Sequence, residues 1–418
     1  MSKPGPLSPA AERLLLFTLA AVQFTHVMDF MIMMPLGAGL MREFTLSPEQ
    51  FSRLVASYGL AAALTGFLGG FVLDRYDRKQ ALLWLYAGFG LSTFACALAP
   101  TYGFLLAARL SAGAFGGVAG SVVTAMVGDV VPPERRGRGM ATVMSAFPLA
   151  SVLGVPTGLW LAHLFKWHAP FFMLGGLSAV IFVVALLFLP HVASHRSTEH
   201  PVRQMIDMLS LPVHQRCLLL SAALVFAGGS LIPFMAPSMI LNVGLTEAQL
   251  PLIYLFGGAC TFFTMPWIGR LADRHEKLPV LGWLTLCAAL TALVLTNLPV
   301  APVPLVLIVT SLFFVTMSGR FAPAMAMITN AVDARYRGGF MSVNSAVQQA
   351  ASGLANLTSG LLMTQDAAGR LTGYPRIGLV ALAFFVLTVL LAARLRNLAP
   401  QSSLPGGRAL TTPPMPLD

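Results

Sequence analysis

Asp29 and Arg109 stand inside stretches that are otherwise apolar, and a carboxylate and a guanidinium so placed could bind and release a proton. An ionisable group within an apolar run is costly unless it faces a cavity or a partner, so by default it marks a functional site. Asp29 would exchange its proton as contact with Arg109 is made or given up to solvent or a solute. A permanent ion pair that only fixes two helices is the structural alternative. His26 lies three residues before Asp29 on the same helical face. It would be either a proton relay or a buried histidine bonded to a backbone carbonyl. Phe30, Met31, Met33 and Met34 follow, and such a surface either adapts to varied solutes in a cavity or packs against lipid and neighbouring helices. Arg320 interrupts another run and is expected to snorkel toward Asp333 and the interface, with contact to an anionic solute group as the alternative.

The elements that must position these residues are membrane helices. The chain has 418 residues, 56% hydrophobic and 10% charged, whereas soluble domains carry about 25% charged residues. Runs of about 20 apolar residues are long enough to cross a bilayer. Twelve are found: 14–37, 51–73, 80–99, 103–128, 139–163 and 169–190, then 216–241, 250–271, 278–298, 302–326, 339–363 and 376–395. The expected fold is an all-α membrane protein of twelve transmembrane helices in two pseudo-symmetric six-helix bundles. The expected organisation is a cytoplasmic N-terminal segment (1–12), one bundle (13–190), a cytoplasmic linker (191–215), a second bundle (216–396) and a disordered tail (397–418) rich in Pro, Gly and Ser. The first run is longer than the apolar part of a cleavable leader and carries His26 and Asp29, so it is taken as a span.

The formal charge of +10 does not point to nucleic acid, because the basic residues sit in short loops. Arg42, Arg53, Lys166, Arg370 and Arg376 fall on one side, Arg109 and Arg320 lie inside runs, and every other Lys and Arg falls on the opposite side. That asymmetry predicts two cytoplasmic termini in a cell membrane. The four cysteines lack metal-ligand spacing. No Gly-x-x-x-x-Gly-Lys-Ser/Thr stretch, catalytic triad or metal motif is present, so neither an enzyme nor a cofactor is expected.

A second constellation repeats. Gly70, Asp74 and Arg75 recur 199 residues later as Gly269, Asp273 and Arg274, each time at the end of an apolar run. Ser47 with Gln50, and Thr246 with Gln249, form capping boxes at equivalent helix starts. Gly139 to Ala146 is echoed by Gly339 to Ala346. Asp129 closes the fourth run on the side of the first charged loop, within reach of Arg78. Gly154, Pro156 and Gly158 permit either close helix packing or a hinge in the fifth run.

These motifs resemble those of the major facilitator superfamily, above all its twelve-span drug and metabolite proton antiporters, over about residues 12–396. Gly70 to Lys79 is similar to that family's loop between spans two and three, with Asp77 where a second glycine is usual. Arg109 with Gly113 matches the span-four motif, and Gly154-Val155-Pro156-Thr157-Gly158 matches a shortened antiporter motif. The resemblance implies a secondary transporter that exports a small organic compound in exchange for protons by alternating access, working as a monomer in the inner membrane. A facilitator or proton symporter for an anionic or neutral metabolite is the alternative, and a non-transporting membrane sensor is a third. Asp29, His26, Arg109, Phe30, Met33 and Arg320 would then serve proton coupling and the substrate cavity. Gly70, Asp74, Arg75, Arg78, Asp129, Gly154, Pro156, Gly158, Gly269, Asp273 and Arg274 would serve gating. In this scheme Asp74 docks near Gly338-Gly339, and Asp273 near Gly137 to Gly139, only when the cytoplasmic side is closed.

Overall fold

Each apolar run becomes a helix because a chain in lipid must satisfy its backbone hydrogen bonds within itself. The computed structural model describes residues 9–72, 76–132, 135–190, 201–333 and 335–396. Asp74, Arg75 and the expected tail, 397–418, lie outside them. The long helices are α1 (Pro9–Ile32), α2 (Pro48–Val72), α3 (Arg78–Ala97), α4 (Tyr102–Val130), α5 (Arg135–Phe165) and α6 (Ala169–Phe188). They continue as α7 (Pro212–Val243), α8 (Leu250–Arg274), α9 (Lys277–Thr296), α10 (Val303–Ala331), α11 (Arg337–Leu362) and α12 (Tyr374–Arg396). The segment expected as a linker contains a ten-residue helix, Pro201–Ser210. A two-residue antiparallel pairing, Thr364–Gln365 with Leu371–Thr372, sits between α11 and α12.

Helix starts follow their local chemistry. The Ser47–Gln50 box is complete: Ser47 N–H donates to Gln50 Oε1 at 2.9 Å, and Gln50 N–H to Ser47 Oγ at 3.2 Å. In the second copy only Thr246 N–H to Gln249 Oε1, 3.1 Å, is made. There the chain turns once more before α8 begins at Leu250. Asp77, the departure from the family loop, caps α3 by accepting from Gln80 N–H at 3.0 Å. A glycine could not supply that oxygen.

Eleven of these helices are long and apolar enough to cross a membrane; α11 is not among them. Its 26 residues include Asn344, Gln348, Gln349, Asn356 and Ser359. Its backbone and Ser359 bond other helices, while the Asn356 amide is buried without a partner among the described residues. Ser359 Oγ donates to Ser230 O of α7, and the carbonyl of Asn356 accepts from Ser52 Oγ of α2. Gly59 lies beneath Gln349 O, Gly353 against Leu60, and Gly360 against Ser52. Small residues let these two backbones approach closely.

The two sets of six helices therefore touch toward one end. Phe51 meets Phe234 edge-on at 5.8 Å, Gly37 packs on Pro237, and Gly258 of α8 crosses Ser151 and Val152 of α5. Arg42 pairs with Glu247 across the same end. Toward the other end, which carries Arg78, Arg135, Arg138 and Arg274 and is called the basic end below, the faces part. One and two turns beyond Leu60, on the same side of α2, Leu64, Phe67 and Leu68 are 62%, 36% and 51% exposed.

Candidate functional site

The site is built by α1, α2, α3 and α4. Gly113 and Gly117 of α4 leave room for the backbone of α2 at Tyr58 and Ala62. That approach lays the Tyr58 ring under Arg109, whose Cζ is 4.7 Å from the ring centroid. Arg109 Nη1 donates to Asp29 Oδ2 at 2.7 Å and to Asp29 O at 3.2 Å. The pair has no contact with solvent: Asp29 is 0% and Arg109 1% exposed. Thr93 and Cys96 of α3 stand beside the two charges. Asp29 Oδ1 and Arg109 Nε meet no hydrogen-bond partner. One carboxylate oxygen is thus engaged by the guanidinium and the other is not. Tyr58, Thr93 and Cys96 carry no motif, and sequence reasoning missed them because they come from helices that only the close approach at Gly113 and Gly117 brings to the pair.

His26 does not bond a backbone carbonyl. It is buried in an aromatic pocket, edge-on to Phe89 at 4.2 Å and tilted to Tyr86 at 5.9 Å, and its Nε2 meets no partner. Phe30 is half-buried and leans on Tyr58 at 5.6 Å. Met33 is fully buried in the apolar core, which corrects its expected place in a cavity wall. Its successor in the chain, Met34, packs in the same core. Arg320 corrects a second expectation: it does not snorkel. Its side chain is 0% exposed, its Cζ lies 4.6 Å from the Phe385 ring, and Nη2 points to Met317 Sδ at 3.2 Å. Nε and Nη1 meet no partner. It sits at the junction of two helical segments within α10, where its guanidinium is turned onto Phe385.

Among the gating residues, Arg78 Nε donates to Asp129 Oδ2 at 3.3 Å. Asp273 and Arg274 are exposed, and a side chain at Gly269, Gly137 or Gly338 would meet nothing. The expected docking of Asp273 near Gly137 to Gly139 is absent from this form, whose basic end is parted. Gly70 falls in the last turn of α2. Gly154 and Gly158 bring α5 against α1, facing Met28 and Ile32. Pro156 has no N–H, and the turn before it, Ala150–Gly154, winds as a π-helix. Packing and a break in the helix therefore coexist in α5, and π segments of this kind are frequent at functional sites. Ser151 and Val152 of that π segment are the residues that Gly258 crosses.

The Major Facilitator Superfamily model matches this chain over residues 19–216 and again over 217–416. The chain belongs to the Major Facilitator Superfamily. That family consists of membrane transporters of small molecules, not enzymes. The MFS-type transporter YceJ of Bacillus subtilis is 26% identical over 366 residues, covering 85% of this chain and 91% of that protein. A protein named transcription regulatory protein OpdE, of Pseudomonas aeruginosa, is 29% identical over 359 residues, 84% of this chain and 85% of its own length. Among solved structures, a bacterial homologue of the human lysosomal transporter Spinster, inward-facing and unoccupied, superposes with a TM-score of 0.77 at 15% identity. The match covers 95% of this chain and all of that one. At that identity the likeness concerns the superfamily fold.

Proposed function

We propose that this superfamily member is a proton antiporter that exports a small organic compound across the inner membrane, with the basic end cytoplasmic and one chain sufficient. The observation that carries the proposal is the Asp29–Arg109 pair, buried to 0% and 1% with one carboxylate oxygen unengaged. Protonation of Asp29 removes the charge attraction and leaves Arg109 held only by the Asp29 carbonyl and the Tyr58 ring. The tie between α1 and α4 loosens accordingly. Met28, adjacent to Asp29, is wedged against Gly154 and Gly158, and the neighbouring π segment carries the crossing with Gly258. Proton occupancy is thereby linked to the contact about which one set of helices rocks on the other. In the opposite state the basic end closes, bringing Asp273 and Arg274 to the start of α5, while Asp74 and Arg75 act at the matching loop.

The test is proton release from purified protein on adding compounds from a drug and metabolite panel, in weakly buffered detergent near neutral pH. Release by the parent and none by Asp29→Asn is expected. Binding with equal release in both overturns Asp29 as the exchange site and leaves the pair structural, and binding with no release in either favours facilitation or symport. A second reading, a membrane sensor that does not transport, draws on the relative named as a transcription regulatory protein. Ligand binding without flux in reconstituted vesicles selects it.

A further inference from the structure

At the basic end, a cavity of about 420 Å³ opens between the first turns of α1 and α5. Three arginines face it: Arg13 from α1, and Arg135 and Arg138 from α5. Glu12, almost buried, holds Arg135 by an ion pair of 3.0 Å. Arg13 and Arg138 are exposed and form no ion pair among the described residues. Among the described residues the lining thus sets three arginines against one carboxylate. One turn deeper the lining becomes apolar, with Leu16 and then Phe17, the latter 67% exposed. Cationic at headgroup level and apolar just below, the cleft fits an amphiphile with an anionic head. All three cations are arginines, whose planar fork matches two oxygens of one phosphate, whereas lysine offers only a point charge.

We propose that this cleft between α1 and α5 binds a phosphate group, supplied by an anionic phospholipid of the surrounding leaflet. The phosphate lies among Arg13, Arg135 and Arg138, and the acyl chains run down past Phe17. Arginines that serve only to orient the chain in the membrane need no cavity and no buried carboxylate to hold one of them in place. The site lies apart from the Asp29–Arg109 pair and does not depend on the direction of transport.

Native mass spectrometry of the purified full chain tests the assignment, with phosphatidylglycerol and phosphatidylcholine of matched acyl chains as probes and inorganic phosphate as competitor. Retention of phosphatidylglycerol about tenfold or more above phosphatidylcholine is expected, since each basic group near a membrane surface contributes measurably. Arg13→Gln with Arg138→Gln should abolish that preference. Thr142→Trp, which fills the cleft and keeps every charge, should abolish it too, and an unchanged melting temperature shows that both variants are folded. Displacement by millimolar inorganic phosphate without any preference between the lipids keeps the phosphate site and reassigns its source to free anion. Phosphatidylglycerol retention unaffected by both variants overturns the proposal, as does the absence of both lipid preference and phosphate binding.

Discussion

Arg109 and Arg320 are both buried to within 1%, yet they are neutralised differently. Arg109 has a carboxylate at 2.7 Å and an aromatic face. Arg320 has an aromatic face and a thioether, and no acid among the described residues. A guanidinium keeps its proton at all accessible pH values, so a site changes charge only where an acid accompanies it. The helices α1–α6 therefore pair their buried guanidinium with a titratable acid, and α7–α12 surround theirs with an aromatic ring and a thioether.

The largest effect that separates the two is isosteric replacement. Arg109→Met strands a buried carboxylate, and a cost of about 3–5 kcal/mol in stability is expected. Asp29→Leu combined with Arg109→Met should recover most of it. Arg320→Met removes a lone buried charge, so the melting temperature should hold or rise. A fall as large as that of Arg109→Met would erase the distinction. A smaller effect lies in the rings. Phe385→Leu should cost more than Tyr58→Leu, up to about 2 kcal/mol, because Arg320 has no acid to fall back on. Equal losses would mean that the acid at Asp29 does not lighten the load on Tyr58. The smallest effect comes from an ion pair in water: Arg42 and Glu247 are 64% and 43% exposed. Arg42→Ala should lower stability by no more than about 1 kcal/mol. A greater loss would show that the pair, rather than the α2–α11 contact, holds that end shut.

Much of this fold could be read from the chain because lipid imposes long apolar runs, and the charged loops that separate them repeat at a fixed offset. The depth of Asp29 and Arg109 could be read for the same reason: one rise per residue from each helix end places them level. What could not be read is rotation about the helix axis. Spacing put Met33 beside Asp29 in the chain, but its side chain turns into the core. Arg320 looked close enough to an interface to reach it, but packing against Phe385 turns it inward. Asp77 read as a lapse from the family loop until its carboxylate was found capping α3. Rotation depends on partners distant in sequence, such as Gly113 under Tyr58, and one chain does not announce them, whereas the Asp77 cap is local, three residues from Gln80.

The polarity of α11 also bears on how the molecule is made. Asn and Gln at several positions weigh against partition of a lone helix from the translocon into lipid. Its partners α2 and α7 are both synthesised earlier, so their surfaces already stand in the bilayer when α11 emerges. Entry of α11 is thus an act of assembly as much as of insertion. Lesions on the facing surfaces of α2, at Ser52 or Gly59, should surface as failed biogenesis of a helix some three hundred residues downstream.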